Sequence, residues 1–228
     1  MQSCLNICEE ICPDKLRIMH DRILRWGKEN MRQYPWRETR DGYKIIIAET
    51  MLHRTRADQV REVYEEFIRK YPDFGSIVDA GPEKVREELG SLGLVWRADL
   101  LYKMAEAVMR EHAGVLPLEK EELMNFPGIG PYISSAVLCM AYNLPEPLID
   151  TNTVRVIGRF LGIKITDSSR RSDKFKKIMS ELASYGKPRD FSISLIDFAA
   201  LICTAGNPEC SECTLNDACN YYITGVVQ

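Results

Sequence analysis

Four cysteines close to the C-terminus have the spacing that most directly indicates chemistry. They are Cys203, Cys210, Cys213 and Cys219, in the pattern C-x6-C-x2-C-x5-C. Four neighbouring thiolates repel one another unless a cation balances them, and zinc or a four-iron cluster takes four sulfur ligands. Zinc sites usually contain two C-x2-C pairs, whereas this pattern contains one, so the spacing favours a [4Fe–4S] cluster. Two disulfides are the remaining alternative, but the chain shows no export signal, and intracellular proteins rarely keep disulfides.

A glycine-rich turn is the second feature with a chemical interpretation. Gly128 and Gly130 flank Ile129 in the segment FPGIGPY, and Pro131 begins the next helical segment. Such a turn can direct backbone N–H groups outward at a helix N-terminus, where the helix dipole favours a phosphate oxygen. Main-chain contacts of this kind position DNA without reading its sequence. The alternative is a simple turn between two helices with a glycine cap.

Two carboxylates stand in positions that suit catalysis. Asp150 follows an apolar pair and directly precedes a helical segment, so it is either a helix N-cap or a carboxylate poised at an anomeric carbon. Glu49 lies inside an apolar run, where burial would raise its pKa and make it a general acid. A salt bridge from Glu49 to His53 or Arg54 is the structural alternative.

Helices must position these residues, because helical periodicity continues through most of the chain. The segment KIIIAET has the composition of a strand, but an isolated strand has nothing to pair with, so we interpret it as a buried helix. Turn clusters such as PDFG, NLPEP and YGKPRD separate the periodic segments. The sequence therefore predicts an all-α, two-lobed protein. The predicted helices span residues 14–32, 43–53, 57–71, 82–90, 96–112, 119–125, 131–142, 152–161, 172–184 and 190–203.

Composition and charge exclude several classes of protein. The 228 residues are 45% hydrophobic and 28% charged, which is typical of a globular domain rather than a disordered chain. A net charge of −3 excludes a uniformly basic nucleic-acid coat. Local basic clusters still allow DNA binding through one face. They are Arg54, Arg56 and Arg61; Arg155 and Arg159; and Arg170, Arg171, Lys174, Lys176 and Lys177.

The sequence also lacks the signals of export and membrane insertion. No apolar run is long enough to cross a bilayer, and the N-terminus does not resemble a signal peptide. We therefore expect an intracellular protein, in the cytoplasm or nucleoid, without membrane contact. Three further cysteines, Cys4, Cys8 and Cys12, would share one face of a helix. A second metal site is conceivable there, but an apolar stripe is the favoured interpretation.

The turn FPGIGPY, Asp150 and the four-cysteine pattern together resemble the endonuclease III superfamily of helix-hairpin-helix DNA glycosylases. The resemblance extends from about residue 34 to residue 222. Within that superfamily, PWRETRDGYKIIIAETMLHRT resembles both the adenine glycosylase MutY and the Mig-type mismatch thymine glycosylases. The segment RDFSISLIDFAALIC is most similar to the Mig-type group.

The resemblance implies a particular fold and cofactor. Residues 34–144 would form a six-helix barrel lobe that carries the helix-hairpin-helix. Residues 1–33 together with 145–228 would form a second helical lobe with a C-terminal [4Fe–4S] cluster loop. In this family the cluster is structural, so we expect it to hold a loop rather than to carry out redox chemistry.

The resemblance also implies roles for individual residues. Asp150 matches the catalytic aspartate, which stabilises positive charge on the deoxyribose as the base leaves. Tyr132 stands where bifunctional relatives carry a nucleophilic lysine, and a phenol cannot form a Schiff base. We therefore expect a monofunctional enzyme without AP-lyase activity. Glu49 matches a glutamate that contacts the flipped base, and Asn152 matches an asparagine near the sugar.

Three further residues are expected to fill the space that the flipped base leaves. Leu94 matches a wedge side chain, although ordinary loop packing is the alternative. His53 and Arg54 match a second inserted segment. The expected partner is double-stranded DNA with a flipped base, and we expect the protein to act on it as a monomer.

The predicted activity is hydrolysis of the N-glycosidic bond of thymine or uracil mispaired with guanine. MutY proteins usually carry an additional C-terminal domain, and this sequence ends shortly after Cys219. A MutY-like adenine glycosylase without that domain, an enzyme for another damaged pyrimidine, and a non-catalytic iron–sulfur DNA-binding protein are the alternatives. Glu49 and Asp150 argue against the last, because a protein that only binds DNA needs neither carboxylate.

Overall fold

The computed structural model of the chain describes residues 12–93 and 95–225. Within these ranges the regular structure consists of α-helices and short 3-10 turns, with no strand, so the predicted all-α class is confirmed. Cys4, Cys8 and Leu94 lie outside the described residues. None of the helices in the described ranges combines the length and apolar character needed to cross a membrane.

The chain divides into two compact units. The first comprises the residues up to Arg32 together with those from Pro145 onward, and the second comprises Gln33–Leu144. The helices of the second unit are α2 (Pro35–Glu38), α3 (Gly42–Leu52), α4 (Ala57–Lys70), α5 (Phe74–Ala80), α6 (Pro82–Gly90), α7 (Val95–His112), α8 (Lys120–Met124) and α9 (Pro131–Tyr142). Those of the first unit are α1 (Pro13–Asn30), α10 (Thr151–Leu161), α11 (Asp173–Ser184), α12 (Pro188–Leu201) and α13 (Asn220–Thr224). Its 3-10 turns are Ser169–Arg171, Cys210–Glu212 and Asn216–Ala218.

Helix α3 forms the centre of the second unit. Nine of its residues, Gly42, Tyr43 and Ile45–Met51, are buried, and the helix packs against α4, α7 and α9. A helix that is apolar on every side is a core helix, because each of its faces needs a packing partner. The interpretation of KIIIAET as a buried helix is therefore confirmed.

Helix α12 has the same central position in the first unit, where it packs against α1, α10 and α11. The crossing with α1 is close. A Cβ atom on Gly27 would lie 1.9 Å from the Ser194 hydroxyl oxygen, which is too short for any real contact. The hydroxyl of Ser194 donates instead to the Asp190 carbonyl oxygen at 2.6 Å. A glycine in the interior of α1 is thus required by packing, although glycine is a poor helix former.

Three helices were not predicted, and each is short. Helix α2 begins at Pro35, directly after Tyr34, where the helical periodicity of the sequence is interrupted. Helix α5 begins inside PDFG, where the sequence predicts a turn. Its first turn is a capping box in which the Asp73 side chain accepts from the Ser76 N–H. Helix α13 begins at Asn220, after the cysteine-rich loop. Helices of one or two turns carry too few apolar positions to show a period.

In the first unit, an ion pair between Asp197 and Arg32 anchors the end of the N-terminal segment. The Asp197 carboxylate is fully buried on α12. It accepts hydrogen bonds from the backbone N–H of Arg32 at 2.8 Å and from its Nε at 2.8 Å, while Arg32 Nη2 lies 2.7 Å away. The carboxylate therefore fixes the point at which the chain leaves α1.

We expect Asp197→Asn to lower the free energy of unfolding by about 2 kcal/mol, because the fully buried side chain loses charge-assisted hydrogen bonds from Arg32. Chemical denaturation monitored by circular dichroism measures the change. The matched control is Asp173→Asn, because Asp173 is exposed and pairs with Lys176, and it should change stability by less than about 0.5 kcal/mol. Equal effects of the two substitutions would contradict this role of Asp197.

Candidate active site and metal centre

Asp150 is the N-cap of α10, as one of its two interpretations predicted. Its Oδ1 accepts from the backbone N–H groups of Asn152 at 2.9 Å and Thr153 at 2.7 Å. The hydroxyl of Thr153 in turn accepts from the Asp150 N–H at 2.9 Å, which completes a capping box. The carboxylate is half-buried and has one fixed orientation at the positive end of the helix dipole. Capping and catalysis are therefore compatible uses of the same side chain.

A chain of hydrogen bonds extends from Asp150 along α10. The side-chain amide of Asn152 donates to Asp150 Oδ2 at 2.8 Å, and its Oδ1 accepts from Arg155 Nη1 at 2.9 Å. Arg155 also donates to the carbonyl oxygens of Ala199 and Cys203, each at 2.9 Å. Asp150 Oδ2 is thus held by an amide that connects through Arg155 to the backbone at the end of α12, while Oδ1 is held by the first turn of α10.

The four predicted cysteine ligands line a single cavity of the first unit. Cys203 follows α12, Cys210 begins a 3-10 turn and Cys219 caps α13, so the cysteines come from separate turns of one loop. Arg159 Nη1 donates to the Cys203 sulfur at 3.5 Å. Four cysteines with no other ligand type are the donor set that [4Fe–4S] clusters use.

Burial makes the charged form of these thiols unfavourable. It raises the pKa of Cys213 to about 11 and also raises the pKa values of Cys210 and Cys219. A metal centre would instead lower the pKa values of these thiols, because it binds the thiolate and supplies positive charge. Among residues 12–93 and 95–225, no group of three or more His, Cys, Asp or Glu side chains stands in a geometry that could hold a metal ion. The assignment of the cysteines as ligands stays a prediction.

The glycine-rich turn joins α8 to α9 in a helical hairpin. Gly128 has φ of +81°, and a Cβ atom there would lie 3.1 Å from the Leu100 Cβ on α7, so both conformation and packing require glycine. Ile129 is buried and anchors the turn, while Gly130 is the N-cap of α9. The turn can therefore contact a ligand mainly through its backbone.

The remaining predicted catalytic residues lie in the second unit. Glu49 is buried on α3, with 7% of its surface exposed. Tyr132 is the second residue of α9, directly after the hairpin turn, and is half-buried. Because Asp150 and Asn152 belong to the first unit, the structure groups the predicted site residues into two sets.

His53 and Arg54 lie at the C-terminal end of α3. Arg54 adopts a left-handed conformation with φ of +65°, and the His53 ring meets the edge of the Trp96 ring, with 6.4 Å between centroids. The next residue, Arg97, is buried with two nitrogen atoms lacking a hydrogen-bond partner. No signal in the sequence selects Trp96 or Arg97, because a single arginine in a periodic helical segment is normally exposed.

The comparisons with known proteins agree with this arrangement. Residues 47–182 match the family described as HhH-GPD superfamily base excision DNA repair protein. The chain is 38% identical to a thymine-DNA glycosylase of Aeropyrum pernix, over 92% of this chain and 97% of the relative. It is 32% identical to a thymine/uracil-DNA glycosylase of Methanothermobacter thermautotrophicus, over 91% of this chain and 95% of that protein.

A solved structure gives the same result for the fold. The structure of a thermostable thymine-DNA glycosylase superimposes with a TM-score of 0.86 at 32% identity, covering 92% of this chain and 98% of the other. Because 92% of the chain is covered, the match extends over residues of both compact units. This chain belongs to the helix-hairpin-helix superfamily of base-excision DNA repair proteins.

Proposed function

We propose that the protein is a monofunctional DNA glycosylase that hydrolyses the N-glycosidic bond of thymine or uracil mispaired with guanine. The observation that carries the proposal is the Asp150 carboxylate, fixed by a capping box in a chain that matches thymine/uracil-DNA glycosylases over nearly its whole length. In this proposal the protein acts as a monomer on double-stranded DNA.

Asp150 acts by stabilising charge in the transition state. As the bond to the base breaks, its electron pair leaves with the base, and the sugar becomes oxocarbenium-like. A carboxylate that is already oriented stabilises that positive charge without reorganisation. Water then adds to the sugar carbon, and the product is an abasic site. Asn152 supports the step because its side-chain amide donates to Asp150 Oδ2.

The target base must leave the helical stack before this chemistry can occur. Glu49 is proposed to contact the flipped base, because a buried carboxyl group is well placed to be a proton donor or acceptor. Gly128, Ile129 and Gly130 are proposed to bind the DNA backbone through main-chain groups. Leu94, His53 and Arg54 are proposed to fill the vacated space in the duplex.

Tyr132 limits the reaction to hydrolysis. Strand cleavage by this superfamily requires an amine that attacks the sugar and forms a Schiff base, and a phenol cannot form one. We therefore propose that the enzyme has no AP-lyase activity.

The cysteine cavity is proposed to hold a [4Fe–4S] cluster through Cys203, Cys210, Cys213 and Cys219. The support is their common cavity and their spacing in the sequence. When bound, the cluster would supply a rigid cross-link between the turns of the loop.

We expect Asp150→Asn to abolish most base excision while preserving the fold. Asparagine caps helices about as well as aspartate, so the helix end survives and only the charge is lost. Single-turnover excision from U:G and T:G duplexes should fall by about 100- to 1,000-fold, the loss typical of removing one electrostatic stabiliser.

Asp73→Asn is the matched control for that substitution, because Asp73 caps α5 with the same type of capping box. It should leave the excision rate unchanged. Duplexes with A:G and with adenine opposite 8-oxoguanine, assayed beside the U:G and T:G duplexes, test the adenine alternative. Full activity of Asp150→Asn would refute the mechanism, and no excision from any of these duplexes would refute the proposed activity.

We expect strand breaks to appear only after alkali treatment, because the enzyme leaves an intact abasic site. Borohydride should trap no covalent complex between the wild-type protein and DNA. Tyr132→Lys introduces an amine at this position and should create a trappable Schiff base. The control is Tyr142→Lys at the other end of α9, which should trap nothing. Breaks by the wild-type protein without alkali would contradict the assignment.

We expect the purified protein to contain iron and inorganic sulfide in equal amounts and no stoichiometric zinc. Cys213→Ser should lower both contents and weaken the order of the loop, because one ligand is lost. Cys139→Ser is the control, since Cys139 lies in the core of the second unit and should leave the metal content unchanged. Stoichiometric zinc without sulfide would overturn the assignment of a cluster.

A further inference from the structure

Arg97 is a buried cation with unused donors. It lies in the first turn of α7, only 5% of its surface is exposed, and its Nε and Nη1 have no hydrogen-bond partner. Nearly all buried polar atoms in proteins are hydrogen-bonded, and an unpaired buried charge is strongly destabilising. An exception of this kind calls for a ligand that pairs with the side chain in another state of the protein.

The neighbouring side chains do not neutralise this charge. Burial lowers the pKa of Arg97, and the charge of Arg54 lowers it further. Partial burial lowers the pKa of His53, followed by the effects of Arg97 and Arg54. The lowered pKa favours the neutral form of the His53 ring, while the two arginines create positive potential at this end of α7. Such a site favours an electronegative acceptor.

An exposed aromatic ring covers the guanidinium. The Arg97 Cζ lies 5.1 Å from the centroid of the Trp96 ring, a cation–π contact that partly compensates for the missing hydrogen bonds. Trp96 is 53% exposed and Val95 is 55% exposed. An exposed ring can change its rotamer quickly, whereas the buried Arg97 is fixed. Trp96 can therefore move aside and uncover the donors of Arg97.

A buried arginine beside an exposed aromatic ring suits a nucleobase better than a phosphate group. Bases are recognised by stacking on aromatic rings and by hydrogen bonds to their edges. Guanine presents two acceptors, O6 and N7, on its major-groove edge, and arginine is their commonest partner. A phosphate would use the positive charge but would gain nothing from the exposed surfaces of Val95 and Trp96.

We propose that Arg97, with Trp96 and His53, forms the site that reads the guanine left opposite the excised pyrimidine. Arg97 donates to the acceptor edge of the guanine, and Trp96 swings from the guanidinium to stack on the base. The inference rests on the proposed function and adds to it the determinant of opposite-base selectivity. It requires only residues of the second unit.

Opposite-base selectivity tests the proposal directly. Uracil excision is measured under single-turnover conditions with guanine, 7-deazaguanine, inosine or adenine opposite the uracil. For the wild-type protein, rates should be similar for guanine and inosine, which share O6 and N7, and lower for 7-deazaguanine and adenine. Arg97→Met should reduce the ratio of the guanine rate to the adenine rate by about 10- to 100-fold, the discrimination typical of one arginine–guanine contact.

The outcomes separate this inference from the proposed function. If the wild-type protein excises uracil with a preference for guanine and Arg97→Met keeps the same preference, the inference fails while the proposed function stands. If no duplex is cut, the proposed function itself fails. If Arg97→Met lowers every rate equally and reduces the salt dependence of binding by about one unit of slope, Arg97 contacts a phosphate and the guanine assignment is overturned.

The melting temperature of a variant distinguishes a role of Arg97 in binding guanine from a purely structural role. Methionine has a similar length without a charge, so Arg97→Met should leave the melting temperature of the free protein unchanged or higher, because an unpaired buried charge is removed. A large fall in melting temperature would overturn the proposal. The control is Arg110→Met on the same helix, where the exposed arginine pairs with Glu111, and this variant should change neither selectivity nor stability.

Discussion

The first unit depends on how the carbonyl groups at the end of α12 and just after it find hydrogen-bond donors. The last carbonyl groups of a helix have no partners within the helix, and they attract cations because the C-terminus is the negative end of the dipole. Two arginines of α10, Arg155 and Arg159, supply the donors. Their guanidinium groups reach the carbonyl oxygen of Ala199 in the last turn of α12 and those of Cys203, Thr204 and Ala205 in the segment that follows the helix. Helix α10 is thereby fixed against the segment that leads into the cysteine loop, and its N-cap, Asp150, is fixed with it.

Much of the fold and of the candidate site could be predicted from the sequence, because the relevant signals are local. KIIIAET was assigned correctly as a helix from the absence of a partner strand. Asp150 was identified both as a cap and as a catalytic carboxylate, and its hydrogen bonds are compatible with both. The Cys203–Cys219 pattern is visible without tertiary information, since all four cysteines lie in one loop. The turn at Gly128 is predicted by its Pro-Gly-x-Gly pattern. The structure adds that Gly128 has a positive φ, which favours glycine.

The structural features that the sequence does not predict depend on their context and mostly on long-range packing. Helix α5 is short, and its capping box overlaps the segment PDFG, whose proline and glycine indicate a turn. Arg97 has the sequence context of an ordinary surface arginine, and its burial is decided by how α7 meets the end of α3. Asp197 likewise stands in an apolar segment without any local sign of Arg32, which lies far away in the chain and supplies its partner. Contacts of this type leave no periodic pattern.

The discontinuity of the first unit has a consequence for the order in which the protein forms. Helix α1 packs on α12, and Lys15 and Arg22 bond to Asn220 and Asp217 beside the cysteine loop. During synthesis α1 emerges before the second unit, whereas its partners on α12 and beside the cysteine loop emerge after that unit. The second unit is continuous in sequence and can fold while the rest is still being made. The unit that carries Asp150 forms later, because its contacts join distant segments, such as those of Arg32 and Asp197, which lie 165 residues apart, and such closure is slow. Loading of any metal centre would therefore be among the final steps of maturation.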